Sequence, residues 1–106
     1  MPEASNIAPL TSQERALALS ELSGWEYDQG RRAFFRTIRL TDFGEAIGLM
    51  MRIAVEAEKA DHHPEWTNLY NRLEIWLTTH DAGNVSQRDV RLARIINGYC
   101  RQTGEG

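Results

Sequence analysis

Apolar residues in this chain recur with two periods, and the order in which those periods alternate leaves few folds open. Thr11-Ser12-Gln13-Glu14 has the form of a helix capping box, and Leu17, Leu19 and Leu22 follow among helix formers. This predicts a helix over about 11–22, closed near Gly24. The pattern then becomes that of strands. Trp25-Glu26-Tyr27 alternates, Asp28-Gln29-Gly30 supplies turn chemistry, and Arg32 to Leu40 carries Phe34, Phe35, Thr37 and Ile38. Aromatic and β-branched side chains suit a pleated surface, so these two segments form a hairpin. From Thr41-Asp42 the helical period returns. Phe43, Ile47, Met50, Met51, Ala54 and Glu58 mark one stripe, which Ala46, Ile53 and Ala57 widen. This longest helix must stop near Asp61, because Pro64 disfavours helical geometry at His63. A second hairpin runs from Trp66 to Tyr70, turns at Asn71-Arg72 and returns from Leu73 to His80. Its last strand points Leu73, Ile75 and Leu77 one way and Glu74, Trp76, Thr78 and His80 the other. Asp81-Ala82-Gly83-Asn84 breaks the strand. Ser86 and Asp89 form another capping pair, opening a helix over about 87–101 with Leu92, Ile95, Ile96 and Tyr99 on one face.

The resulting order, α-β-β-α-β-β-α, implies an α+β domain with its helices on one face of a four-stranded antiparallel sheet. A length of 106 residues fits one domain, here residues 11–106 after a leader over 1–10. The formal net charge of −3 argues against direct nucleic-acid binding, which needs basic charge to neutralise phosphates. Cys100 stands alone and cannot form an internal disulfide, which points to a reducing compartment. The first ten residues have no basic flank or apolar core of a secretory signal. No apolar run approaches the roughly 20 residues needed to cross a bilayer. A cytoplasmic location is the expectation.

All three histidines fall between positions 62 and 80. His62 and His63 occupy the short connection fixed by Pro64, and His80 ends the far strand of the following hairpin. A turn at Asn71-Arg72 would set His80 opposite His63, gathering three imidazoles at one sheet edge. Imidazole is the side chain best suited to proton transfer near neutral pH. Glu58, on the last turn of the preceding helix, and Asp61, beside His62, could each hold an imidazole in one tautomer; a solvated helix end would explain both equally. Three histidines also raise a zinc site, yet no cysteine lies near them and no HExxH spacing exists. Trp66, two positions after Pro64, could stack on a flat heterocycle or belong to the core. Asp89 and Arg88 are explained most simply as a cap acid and a solvated cation.

Glu58-Lys59-Ala60-Asp61-His62-His63-Pro64-Glu65-Trp66, followed by Tyr70, Thr79-His80, Gly83 and Ser86-Gln87-Arg88-Asp89, resembles the signature of the pterin-4a-carbinolamine dehydratases. The likeness extends upstream through Gly24-Trp25, the Phe34-to-Leu40 strand and Phe43, and covers nearly the whole chain from about residue 10. The resemblance implies a hydro-lyase of the 4a-hydroxytetrahydrobiopterin dehydratase type. Such an enzyme removes water from the 4a-hydroxytetrahydropterin released by aromatic amino-acid hydroxylases, and a reductase then recycles the quinonoid dihydropterin. It implies no metal and no prosthetic group. It implies His62, His63 and His80 as the catalytic cluster, with Glu58, Asp61, Pro64, Trp66, Thr79, Arg88 and Asp89 binding substrate or orienting a histidine. The expected partners are the pterin itself and an aromatic amino-acid hydroxylase, with no membrane. The alternative is a regulatory or dimerisation module of the same fold, a role that family members also play for a homeodomain transcription factor in animals.

A dimer or tetramer is also expected. Phe34 and Phe35 are adjacent in one strand and must point to opposite faces. Trp76 opposes Leu73, Ile75 and Leu77, and the long helix carries Ile47, Met50, Met51 and Ile53, a stripe wider than one packing contact needs. Large apolar patches left on a monomer surface usually mark interfaces.

Overall fold

The computed structural model describes residues 7–102; the first six residues of the leader and the last four of the chain lie outside them. The elements are helix α1 (Ser12–Glu21), strands β1 (Glu26–Asp28) and β2 (Ala33–Arg39), helix α2 (Phe43–Ala60), strands β3 (Glu65–Leu69) and β4 (Arg72–Leu77), a short 3-10 turn (His80–Ala82) and helix α3 (Gln87–Gln102). The α+β order expected from the sequence is the order observed. Four antiparallel strands lie in the sequence β1-β2-β4-β3.

Local chemistry explains most boundaries. The Thr11 hydroxyl accepts from Glu14 N–H, and the Glu14 carboxylate accepts from Thr11 N–H, which makes the capping box complete. Asp42 caps α2 through Glu45 N–H at 2.8 Å. The β2–β4 register pairs Phe34 with Leu77, Arg36 with Ile75 and Ile38 with Leu73. These positions share one face of the sheet, and the apolar ones are fully buried against Leu49 and Ile53 of α2 and Ile96 of α3. Each contributes about 1.5–3 kcal/mol by leaving water. Leu10, at the end of the leader, also joins the core and donates its N–H to Val85 C=O. Across the α2–α3 contact the Tyr99 hydroxyl donates to Glu56 at 3.1 Å. Burial, then that carboxylate, raises the phenol above its ordinary pKa of 10.0.

The opposite face of the sheet carries Phe35 against Trp76, ring centroids 4.9 Å apart, with the Arg31 guanidinium 3.8 Å from the Trp76 centroid. Leu17, Phe43, Met51, Val55, Leu69 and Tyr70 are exposed. No helix among the described residues is long and apolar enough to cross a membrane.

Two expectations need correcting. The second hairpin turns at Tyr70-Asn71, one residue earlier than the sequence suggests, and Leu69 pairs with Arg72. Asn71 explains the shift. Its side-chain amide donates to Leu40 C=O at 2.9 Å, and its backbone C=O accepts from Leu40 N–H at 2.8 Å, so it is pinned to the end of β2. Tyr70 makes the turn in the left-handed region, at φ 55°. The shifted register carries His63 toward Thr78 rather than His80. Strand β4 also stops at Leu77, because Thr79 bridges to Asn84 and His80 begins the 3-10 turn.

Candidate active site

Helix α2 ends in a way that splits its two histidines. Asp61 takes a left-handed conformation, φ 52° and ψ 44°, and its N–H reaches Ala57 C=O and Glu58 C=O. His62 N–H also bonds Ala57 C=O, at 3.0 Å. This six-to-one closure is the pattern of a Schellman cap. Pro64 cannot continue the helix and hands the chain to β3. His62 is thereby turned inward, with 9% of its side chain exposed, while the His63 side chain stays 57% exposed.

His62 meets Asp89 in the wall of the domain. The Asp89 side chain is fully buried, and its Oδ1 lies 2.5 Å from His62 Nε2. Its Oδ2 accepts from the Thr79 hydroxyl at 2.7 Å and from Ser86 N–H at 2.9 Å. The Thr79 and Ser86 hydroxyls are 2.6 Å apart, and Ser86 Oγ accepts from Arg88 N–H at 3.2 Å. Asp89 is therefore more than the cap acid of α3. A buried carboxylate is costly unless its oxygens are satisfied, and here four groups from three segments of the chain converge on Asp89 and Ser86. A carboxylate only accepts, so it draws the donor N–H of His62 to Nε2 and leaves Nδ1 as the proton-accepting nitrogen. His63 Nε2 has a looser partner in Glu58 Oε1, at 3.1 Å on the surface.

These residues border one cleft of ≈ 410 Å³, a size that suits a small heterocycle. Asp61, His62, His63, Pro64, Thr79, His80 and Arg88 all line it. The three histidines thus share a cleft, although the register that was to join them differs. His80 arrives from the 3-10 turn, and Gly83, at φ 72°, closes that turn. Glu58 and Asp89 are not in the lining; each holds a histidine that is. Trp66 is neither. It sits on the helix-facing side of β3, partly buried against the core, because alternation places it on the same face as its partner Ile75. Of the two places the sequence left open to Trp66, the core is the one observed, and the substrate contact implied by the resemblance is corrected. Glu65, Thr78 and Asp81 line the cleft and were not singled out from the sequence. Strand alternation is the signal that finds the first two, since it sets Thr78 on the face of His80 and Glu65 two positions from His63. Among the described residues no group of three or more His, Cys, Asp or Glu side chains is arranged to hold a metal ion.

Comparison with known proteins follows the same region of chain. The family model described as "Pterin 4 alpha carbinolamine dehydratase" matches residues 8–99. A protein of Rhizorhabdus wittichii is 54% identical over 95 residues, covering 90% of this chain and 98% of its own length. One of Nitrobacter winogradskyi is 51% identical over 94 residues, covering 89% and 93%. Both carry the provisional name pterin-4-alpha-carbinolamine dehydratase. A crystal structure titled transcriptional coactivator/pterin dehydratase, from Brucella melitensis, superimposes with a TM-score of 0.83 at 43% identity, covering 85% of this chain and 96% of that one.

Proposed function

The chain belongs to the pterin 4 alpha carbinolamine dehydratase family, and from that premise we propose that it dehydrates a 4a-hydroxytetrahydropterin by acid–base work of His62, His63 and His80. One observation carries this reading: a single cleft holds all three imidazoles, one of them fixed by a buried carboxylate. The reaction suits that equipment. A proton leaves the ring nitrogen beside C4a, the C4a–O bond breaks, and the departing hydroxyl takes up a proton to leave as water. The product is a quinonoid dihydropterin. No electrons are exchanged with a cofactor, so what is required is a base and an acid held on the same ligand. His62, with Asp89 behind it, is one fixed acceptor. His63 and His80 lie at the open side, where the leaving hydroxyl can be protonated. Asp61, Pro64, Thr79 and Arg88 would contact the pterin, and Glu58 would orient His63.

The decisive experiment follows loss of the 4a-hydroxy species with pure protein. His63→Ala and His80→Ala should each lower turnover by about 10²–10⁴-fold, as for loss of a general acid or base. Both residues are exposed, so melting temperatures should barely move. Wild-type rates in both variants would sink the assignment.

The wider role we propose is recycling of the pterin used by an aromatic amino-acid hydroxylase, in the cytoplasm. The alternative, a regulatory or dimerisation module, draws support from the similar Brucella protein, which is called a transcriptional coactivator as well as a pterin dehydratase. The same assay separates the two. A homo-oligomer, dimer or tetramer, also belongs to the proposal. Met51 and Val55, one turn apart on α2, are 64% and 56% exposed, more apolar surface than a helix leaves in water without use. Light scattering should give a multiple of 12.1 kDa; a mass near that of one chain refutes it.

A further inference from the structure

The histidine cleft does not end at His80. A second chamber of ≈ 320 Å³ shares Glu65, Thr78, Thr79 and His80 with it and adds Arg31, Arg32 and Gly83. The two halves differ in charge. The histidine half presents Asp61, Glu65 and Asp81 against Arg88. The far half presents Arg31 and Arg32 against Glu65 alone. A ligand spanning both would meet acceptors for ring N–H groups at one end and guanidinium donors at the other.

Both arginines are held at this rim. Arg31 N–H bonds Asp28 Oδ1 at 3.1 Å. The Arg31 guanidinium lies over Trp76 and bonds Glu65 at 2.9 Å through one nitrogen, which leaves most of its five donors unused. Arg32 sits in the left-handed region at φ 51°, a conformation that costs a bulky residue free energy. The Thr78 hydroxyl, which belongs to both chambers, holds it there by donating to Arg32 C=O at 2.7 Å. Among the described residues the Arg32 guanidinium has no ion pair or hydrogen bond.

We propose that the Arg31–Arg32 chamber is a subsite for an anionic group, a phosphate ester or a carboxylate, carried on the tail of the ligand whose ring occupies the histidine cleft. Guanidinium groups favour both anions, through paired N–H donors. The inference rests on the reading of the cleft as a pterin site, and deepens it from a ring to a ring with a charged substituent.

The test is equilibrium binding by calorimetry with three probes: 6-hydroxymethylpterin, its phosphate ester, and a pterin bearing a benzoylglutamate tail. In wild type at low salt, at least one anionic probe should bind about tenfold tighter than the neutral one, as one charge-assisted contact gives. Which of the two gains more identifies the anion. The preference should shrink as salt rises, because the chamber is open to solvent. Arg32→Gly should bring the preference close to one while making the protein no less stable, since glycine accepts the left-handed conformation. Arg32→Lys should keep part of it, and Arg31→Gln should lose part of it. Equal affinity for all three probes in wild type would overturn the subsite and leave the pterin reading standing. So would a preference that survives in an Arg31→Gln, Arg32→Gly double variant. If no probe binds at all, both readings fall together.

Discussion

Helix α3 holds two buried polar clusters, two turns apart, and they solve the same problem toward different ends. At its start Asp89 gathers His62, Thr79 and Ser86. Further along, Asn97 gathers Trp25, Arg36 and Ser23. Its Oδ1 accepts from Trp25 Nε1 at 2.8 Å and from Arg36 Nη1, and its Nδ2 donates to Ser23 C=O at 3.1 Å. Each cluster ties α3 to other parts of the chain through a side chain that burial would otherwise penalise. The Asn97 cluster lines neither of the two chambers described above. The Asp89 cluster has a titratable member, His62, at the edge of an open cleft. Satisfied burial alone therefore does not mark a functional site. What marks it is a satisfied network with one proton-carrying group left facing a space that a ligand can enter.

Substitutions in the two clusters should separate these roles. Asp89→Asn is the largest expected change. Asparagine offers one acceptor where three donors converge, and its amide would face His62 or Thr79 with the wrong polarity. Turnover should fall by about 10²–10³-fold from loss of the fixed tautomer, with about 1–3 kcal/mol of stability lost as well. An Asp89→Asn protein that dehydrates at the wild-type rate would mean that the two clusters do not differ. Asn97→Ala comes next. It strands a buried guanidinium donor and an indole N–H, so denaturant melts should show a loss of about 3 kcal/mol. Assayed well below its melting point, this variant should keep wild-type turnover per folded molecule; a lower turnover would break the comparison from the other side. Gly24→Ala should have the smallest effect. Gly24 is at φ 85°, and a Cβ there would lie 2.7 Å from Arg36 Nε. The expected cost is about 1–2 kcal/mol with activity unchanged. No loss would show that the Arg36 side chain can shift without disturbing Asn97.

Much of this was legible in the sequence, because it depends on neighbours along the chain. The Thr11 capping box, the caps Asp42 and Ser86, and the stop imposed by Pro64 act over three or four residues, and the elements appear where those signals put them. The faces of β2 and β4 follow from alternation, which is a property of the strand alone. The gathering of His62, His63 and His80 near one edge was also visible, since a hairpin returns the end of its second strand to the start of its first.

Pairwise geometry between distant segments was not legible. The hairpin register was set by Asn71 binding Leu40, thirty-one residues away, and no local pattern announces that bond. Trp66 was open to stacking on a heterocycle or to the core, and only the packing of helices on the Ile75 face of the sheet made it a core residue. Asp89 looked like a cap, and Arg36 and Asn97 had no assigned role. Their functions exist only where three segments meet, because the free energy of a buried polar group is decided by the partners that tertiary structure brings to it. The sequence by itself determined which elements form and which side chains could move a proton. Folding decided which of those side chains was held, by what, and which of them was left open to a ligand.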